Sequence, residues 1–407
     1  MIKKLVYQLK RPYHLLKTGL LRGLPAQLKY SFPNNKLKII AITGTDGKTT
    51  SSTLLYQVLK TAGKKVALIS TVACYLGSEE VDTGLHVTSP DPKFLYYWLD
   101  QMVKKNIEYL VLEATSHGIY QYRTWGIEPV IAGLTNITHE HLDYHQDYQQ
   151  YLQAKTLLLA KAQTAIINHD DQSFTQVKKL LNNANTKIIS YSQDDQLARS
   201  LKTAINKRFP ESYNQMNARL VAKIAKQLQL KPKQIAQGIK KFTGVPGRMQ
   251  FVPNKRGFKA VVDFAHTPNA LKRALLALQQ QLKAQKTTGR LIAVFGCAGL
   301  RDWQKRPLMG KIGAKLADLA IFTAEDPRTE DVWSIIRQMK QDLTTEHAKV
   351  ISIADRAQAI DFAINKLAKK GDWIGVFGKG PEKSLCYGQV EQPWSDVQVV
   401  KKALANQ

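Results

Sequence analysis

Residues 37–50 read Leu37-Lys38-Ile39-Ile40-Ala41-Ile42-Thr43-Gly44-Thr45-Asp46-Gly47-Lys48-Thr49-Thr50. The first half is a β-branched, apolar run that fits a buried strand. A glycine turn follows, then apolar residues at helical spacing: Leu54, Leu55, Val58 and Leu59. Strand, turn and helix in that order gather backbone N–H groups and a helix N-terminus around a phosphate. In such a loop Lys48 reaches the β- and γ-phosphates, and the Thr49 hydroxyl meets Mg²⁺. The general phosphate-loop pattern wants glycine where Ile42 stands, so context rather than the full expression points to ATP.

Tyr109-Leu110-Val111-Leu112 is a second apolar strand, ending at Glu113. Ligands of a parallel sheet sit at strand ends, and burying this carboxylate without a cation or donor is costly. Gly133-Leu134-Thr135-Asn136 runs on towards His139-Glu140-His141-Leu142-Asp143-Tyr144-His145. Residue type alone would allow zinc there, but the spacing is not the helical His-Glu-x-x-His arrangement, and zinc carries little weight. Lys155 follows in a helical run. Gly244-Val245-Pro246-Gly247-Arg248-Met249-Gln250 reads as a hinge. Beyond it, strand candidates at 259–264, 291–295, 317–323 and 373–377 alternate with helical segments, which predicts a second parallel sheet. The fold class expected is α/β: a P-loop central ATPase domain with a mainly parallel sheet, plus a C-terminal Rossmann-like α/β domain. The expected division is a basic arm 1–36, an ATP-binding domain 37–245 and a C-terminal domain 246–407.

At 407 residues, with 44% hydrophobic and 22% charged residues, the chain is neither a disordered tail nor a membrane bundle. No apolar run reaches the roughly 18–20 residues of a spanning helix, and no small-residue cleavage site follows the N-terminus. Cys74, Cys297 and Cys386 are odd in number and far apart, which fits a reducing cytosol and a cytoplasmic enzyme. The net charge is +27, but no nucleic-acid signature accompanies it, and general basicity is the better reading.

Residues 1–45 hold nine Lys/Arg and no acid. Ile2, Leu5, Val6, Leu9, Leu16 and Leu20 recur at helical spacing between the lysines, while Pro12, Gly19, Gly23 and Pro25 interrupt the pattern. Two readings stand. Residues 1–32 lie on an anionic membrane as a basic amphipathic segment, or they form a helix packed on their own domain. Pro12 favours the second.

The loop Thr43–Thr50 resembles that of the Mur ligases and folylpolyglutamate synthetases, ATP-dependent enzymes that join a carboxylate to an amine; Asn is usual there at the Asp46 position. Several further segments resemble the muramoyl-tripeptide synthetase branch of the Mur ligases, in the family's order. They are Glu113-Ala114-Thr115-Ser116-His117-Gly118, Thr135–His145, Gly247-Arg248-Met249-Gln250, Asp263–Asn269, Gly296–Asp302, Lys305–Gly310, Glu325-Asp326-Pro327-Arg328 and Gly378-Lys379-Gly380-Pro381-Glu382. The resemblance implies ATP held by Gly44, Thr45, Asp46, Gly47, Lys48, Thr49, Thr50, Asn136, His266 and Asn269. It implies Mg²⁺ on Thr49, Glu113, His141 and a carbamylated Lys155, with Lys48, Glu113, His141 and Lys155 as the catalytic set. Carbamylation turns an ammonium into an anion that suits a hard cation. Asn269 stands where the family has Asp, and Pro381 where it has His.

Thr88, Ser89, Thr115, Gln121 and Arg123 match positions that hold a muramoyl-peptide acceptor. Arg301, Asp326, Arg328, Gly378 and Glu382 match the amino-acid site of relatives that add meso-diaminopimelate, whose distal carboxylate an arginine forks as lysine cannot. Asp326 replaces Asn and is expected to put an anion beside the substrate. The implied activity is ATP-dependent amide-bond formation through an acyl phosphate, by a monomer that closes about 244–248, in peptidoglycan-precursor synthesis. The family carries a further N-terminal domain for the uridine diphosphate moiety, where this sequence has 36 residues before the first ATPase strand. A lipid-linked or shortened acceptor therefore stays open beside the UDP-linked one. A folate- or poly-amino-acid-type ligase and a non-catalytic, membrane-apposed scaffold of the same fold are the alternatives.

Overall fold

Strand β1 (Lys38–Thr43) exposes only its first residue. A strand buried on both faces belongs inside a parallel sheet covered by helices. The computed structural model, which describes residues 10–81, 89–138, 142–285, 288–343 and 349–405, places it there. Seven strands join it: β2 (Val66–Ile69), β3 (Cys74–Leu76), β4 (Glu79–Val81), β5 (Tyr109–Glu113), β6 (Ile131–Leu134), β7 (Thr164–Asn168) and β8 (Lys187–Tyr191). Their order is β4-β3-β2-β5-β1-β6-β7-β8. The six from β2 to β8 in that order run parallel, and β3 and β4 add an antiparallel edge. The edge strand carries exposed Glu79 and Glu80, which discourage pairing with another chain.

Ile42 of β1 stands opposite Glu113, and Thr43 stands opposite Leu134. This register brings the carboxyl ends of β5, β1 and β6 side by side. The Lys48–Thr61 helix buries Leu54, Leu55, Val58 and Leu59, the row that the sequence pattern selects. The Pro232–Lys241 helix crosses it so closely that a Cβ on Gly238 would lie 2.5 Å from the Val58 Cα.

The chain divides into two compact units, Met1–Thr243 and Gly244–Gln407. The arm belongs to the first unit. Helical turns over residues 10–14 continue through a π-helix, Leu15–Gly23, into an α-helix, Leu24–Lys29. Pro12 does not end it. Gly19 and Gly23, which read as weak points, are contact points: a Cβ on either would come within 2.7 Å of the Trp125 indole. Ile2, Leu5, Val6 and Leu9 lie outside the described residues.

The second unit has β9 (Gln250–Val252), β10 (Lys259–Asp263), β11 (Leu291–Phe295), β12 (Leu319–Phe322), β13 (Lys349–Ser352) and β14 (Trp373–Phe377). Their order is β13-β12-β11-β14-β10-β9, parallel except for β9. A hairpin follows, β15 (Ser384–Tyr387) and β16 (Val390–Pro393). Two apolar layers flank the sheet, one including Leu271, Leu275, Leu278 and Met309, the other including Ile360, Ile364 and Val400.

Arg356 pairs with Asp396, both with no exposed side-chain surface. Its other N–H groups donate to the carbonyls of Ala324 and Phe377, so one guanidinium ties the ends of β12 and β14 to the last helix. Asp396→Ala is expected to leave that cation uncompensated and to destabilise the chain by about 3–5 kcal/mol, read as a lower denaturant midpoint in urea unfolding followed by circular dichroism.

Candidate active site

The loop after β1 is shaped by what stands against it. Gly44 has φ +147°, and a Cβ there would lie 1.8 Å from the Thr135 hydroxyl. Gly47 has φ +81°, and a Cβ there would lie 2.3 Å from the Asn217 Oδ1. Both positions exclude a side chain, which leaves the backbone open to a phosphate. Asn136 locks the tip: its Oδ1 accepts from the Asp46 N–H at 3.0 Å, and its Nδ2 donates to the Asp46 carbonyl at 3.1 Å. Thr45 shares a hydrogen bond with the Tyr151 hydroxyl at 3.0 Å. Thr50 lies in the first turn of the helix that the loop opens into.

Four side chains converge at this loop. The Lys48 ammonium donates to the Thr45 carbonyl at 2.6 Å. The Thr49 hydroxyl donates to the Glu113 Oε1 at 2.9 Å, and Glu113 is buried at the end of β5. Lys155, 1% exposed, donates to the Gly44 carbonyl at 2.6 Å with its ammonium 4.5 Å from the Tyr151 ring centre. Thr71 completes the shell of Glu113, giving its N–H to Oε2 at 3.0 Å and its hydroxyl to Oε1 at 2.9 Å. Thr49 and Glu113 present hard oxygen donors at a helix N-terminus, a donor set that fits Mg²⁺. His141 lies outside the described residues.

Beside this centre the Ser116–Tyr120 helix gathers the expected acceptor residues. Thr115 caps it, accepting from the Gly118 N–H at 3.1 Å, and its hydroxyl meets that of Ser89 at 3.2 Å. Arg123 donates to the Ser89 carbonyl at 3.0 Å, and Gln121 to the Tyr144 hydroxyl at 2.8 Å. Thr88 lies outside the described residues. Fully buried His145 meets the Ser116 hydroxyl at 3.1 Å, and its ring packs against those of Tyr120, Tyr144 and Tyr151.

In the second unit the loops after β10, β11, β12 and β14 meet. The Asp263 carboxylate accepts from the N–H groups of Met249 and Ala265, at 2.7 and 2.9 Å. His266 contacts the Phe264 carbonyl through Nδ1 at 3.0 Å, and Asn269 lies in the first turn of the next helix. Lys379, buried, donates to Asp326 at 2.7 Å and to Glu382 at 2.5 Å. The Asp326 Oδ1 accepts from Lys379 and from the Cys386 N–H, so its charge is partly offset within the protein. Arg328 donates to the Gly299 carbonyl at 2.7 Å and lies 3.9 Å from Asp326. Asp326 and Arg328 both adopt left-handed φ, +51° and +54°, a strained loop that aims their side chains. Gly378 has φ +115°, and a Cβ there would sit 3.0 Å from the Glu325 Cγ. Asp326, Arg328, Gly378 and Glu382 thus share one neighbourhood. Arg301 is exposed and lines a cavity of about 490 Å³ with Trp303, Arg306 and Glu330, none of them in that group.

Residues 42–234 match the Mur ligase middle domain, and residues 247–380 match the Mur ligase glutamate ligase domain. The UDP-N-acetylmuramoyl-L-alanyl-D-glutamate–2,6-diaminopimelate ligase 1 of Clostridium acetobutylicum is 35% identical over 393 residues, 92% of this chain and 79% of that one. This chain belongs to the Mur ligase family. A solved structure of a UDP-N-acetylmuramoyl-L-alanyl-D-glutamate–2,6-diaminopimelate ligase superposes with a TM-score of 0.61 at 30% identity, over 93% of this chain and 81% of that one. The bifunctional folylpolyglutamate synthase/dihydrofolate synthase of Yersinia pestis, solved with AMPPNP and Mn, shares the fold: TM-score 0.63 at 19% identity, over 88% and 90% of the two chains. Mur ligases are ATP-dependent enzymes that form amide bonds, and this Mur ligase is an ATP-dependent acid–amino-acid ligase.

Sequence reasoning passed over Thr71, Glu325 and the pairing of Lys379. Thr71 follows the apolar run of β2, a strand-end position of the kind that marked Glu113. Lys379 stands inside a quoted motif, but its partner is 53 residues away.

Burial pushes the Glu325 carboxyl from 4.5 up to about 7; Lys305 and Lys379 pull it down, and Glu382 adds to the rise. Through that window the folded Mur ligase retains a proton that the unfolded chain releases, so this group's contribution to stability falls as pH rises. Glu325→Gln is expected to raise the thermal midpoint at about pH 8 and leave it unchanged at about pH 4. Differential scanning calorimetry at both pH values checks this. An equal shift at the two would contradict it.

Proposed function

We propose that this Mur ligase joins meso-diaminopimelate to the terminal carboxylate of a UDP-N-acetylmuramoyl-dipeptide acceptor, using ATP and Mg²⁺, in peptidoglycan-precursor synthesis. The convergence of Lys48, the Thr49–Glu113 pair and buried Lys155 on the Gly44 loop supports this reading most directly. The similarity to named diaminopimelate ligases supports the choice of substrates.

In the proposed reaction an acceptor carboxylate oxygen attacks the γ-phosphorus of ATP. The bridging P–O bond breaks, ADP leaves, and an acyl phosphate forms. The amino group of diaminopimelate, after losing a proton, attacks the carbonyl carbon. The tetrahedral adduct then expels phosphate and leaves an amide. The protein's part is positioning and charge neutralisation. Backbone N–H groups from Gly44 to Thr50 receive the phosphates, and Lys48 exchanges the Thr45 carbonyl for a γ-phosphate oxygen. Thr49, Glu113, His141 and Lys155 as its carbamate are the proposed holders of Mg²⁺, which when bound offsets phosphate charge. A carbamylated Lys155 keeps one N–H, enough to retain the bond to Gly44. Asn136, His266 and Asn269 are assigned to the nucleotide. Thr88, Ser89, Thr115, Gln121 and Arg123 are assigned to the acceptor. Arg328 forks the distal carboxylate of diaminopimelate, with Asp326, Gly378 and Glu382 around the remaining groups; Arg301, in the loop whose Gly299 carbonyl accepts from Arg328, is assigned to the same amino acid. We place the reaction in the cytoplasm, where ATP is supplied, and assign it to a monomer without nucleic acid.

Phosphate release from ATP, measured against a matrix of acceptors and amino acids, tests the assignment. Release that requires both a UDP-muramoyl-dipeptide and diaminopimelate is expected; release with a folate and glutamate would replace the reading. Lys155→Ala is expected to lower turnover by about a hundredfold or more, with partial rescue by a short-chain carboxylate. Undiminished turnover would remove the carbamate. Arg328→Lys is expected to raise KM for diaminopimelate by roughly tenfold to a hundredfold while changing kcat little.

A further inference from the structure

The arm helix wears its apolar face outward. Tyr13, Leu16, Leu20, Leu21, Leu24 and Leu28 are between 38% and 66% exposed. The residues turned inward are small or polar: Thr18, Gly19, Gly23, Ala26 and Gln27. A helix serving only its own domain shows the opposite arrangement. The inner contacts are specific. Trp125 fills the space over Gly19 and Gly23, Gln27 packs against Gly126, and Arg22 pairs with Asp91 at 2.7 Å. The outward face is therefore held in a fixed orientation. Phe94 and Tyr97, from the Pro92–Lys104 helix beside it, are 50% and 41% exposed and widen the apolar surface. Tyr97 meets Tyr30, next to the end of the arm helix, with ring centres 6.3 Å apart.

The arm's own charge has one sign, and the Asp91 carboxylate beside it is taken up by Arg22. Lys17 and Lys29 are exposed within it, and residues 1–45 contain no acid. Leu16, Leu20, Leu24 and Leu28 recur every fourth residue, with Lys17 and Arg22 in the first two gaps and Lys29 after the last. A second copy of the chain is a poor occupant. A two-fold pairing on this face would set the same lysines against each other, on a protein of net charge +27. Among the described residues no helix is long and apolar enough to cross a membrane, so the face suits a surface rather than a span.

We propose that the outward face of residues 13–28 docks on an anionic phospholipid bilayer. The leucines enter the boundary between headgroups and acyl chains, and Lys17 and Lys29 meet the lipid phosphates. This goes beyond the ligase reaction and does not depend on it.

Co-sedimentation of the full chain with vesicles tests the docking. One set contains equal parts of phosphatidylglycerol and phosphatidylcholine; the other contains phosphatidylcholine alone. Partition onto the anionic set is expected to be at least about tenfold stronger and to weaken about tenfold in about 0.5 M NaCl. The double substitution Leu20→Gln with Leu24→Gln is expected to weaken it about tenfold without altering net charge. Lys17→Gln with Lys29→Gln is expected to do the same. Both variants should keep the wild-type thermal midpoint, since these side chains are exposed, and the wild-type solution turnover, since none of the four is assigned to the ligase site. Equal binding to both vesicle types, no binding, or binding indifferent to the leucine pair would each overturn the proposal. So would a concentration-dependent dimer in sedimentation velocity that the leucine pair abolishes, which would give the face to a second copy.

Discussion

Gly44 has no side chain because the Thr135 hydroxyl stands where one would go. Much of the first unit's centre follows from that contact. The sheet register sets Thr43 against Leu134, so the loop after β1 and the residues after β6 must share one space. Only a glycine leaves room for that hydroxyl. The loop then turns its carbonyl at Gly44 to Lys155 and its tip to Asn136, and the helix that it opens carries Thr49 to Glu113. Three parallel strands ending side by side thus gather a cation, a carboxylate, a hydroxyl and a helix N-terminus, the reason ligands favour strand ends in such sheets.

The second unit solves a different electrostatic problem. Its strand ends bury Glu325, Asp326, Lys379 and Arg356 in one region. Isolated, each would be expensive to bury. Lys379 bridges Asp326 and Glu382, and Arg356 is closed by Asp396. Burial works against the Lys379 ammonium, but Glu382 and Asp326 hold its pKa above the ordinary value. Glu325 lacks so direct a partner, and it is the group whose carboxyl burial lifts most clearly. Fixed charges of this kind are set before any ligand arrives.

The arm shows how the same residues read differently once they are placed. In the sequence, Gly19 and Gly23 weaken a helix and Pro12 stops it. In the structure a π-helical stretch carries the chain through, and the glycines are where Trp125 fits. Leu16 and Leu20, which a helix packed on its own domain would turn inward, face solvent. Helical periodicity identifies a stripe but not which way the stripe turns, because that depends on a tryptophan more than a hundred residues away.

The linear sequence by itself determined the α/β class, the phosphate loop, the strands β1, β5, β10, β11, β12 and β14, and the family to which this ligase belongs. Those features rest on short-range pattern: β-branched runs, glycine turns and motifs in a fixed order. Strands β2, β3, β4, β6, β7, β8, β15 and β16 are not marked by such patterns, and neither are β9 and β13, which are short and only partly buried. Contacts made by the fold alone let Thr71 complete the shell of Glu113, Lys379 pair with Asp326, Arg356 close on Asp396, and the arm's leucines face out. Each joins residues between about 40 and 110 positions apart, or depends on one such contact. Local pattern carries no information about a partner that distant; the fold supplies it by bringing strand ends together.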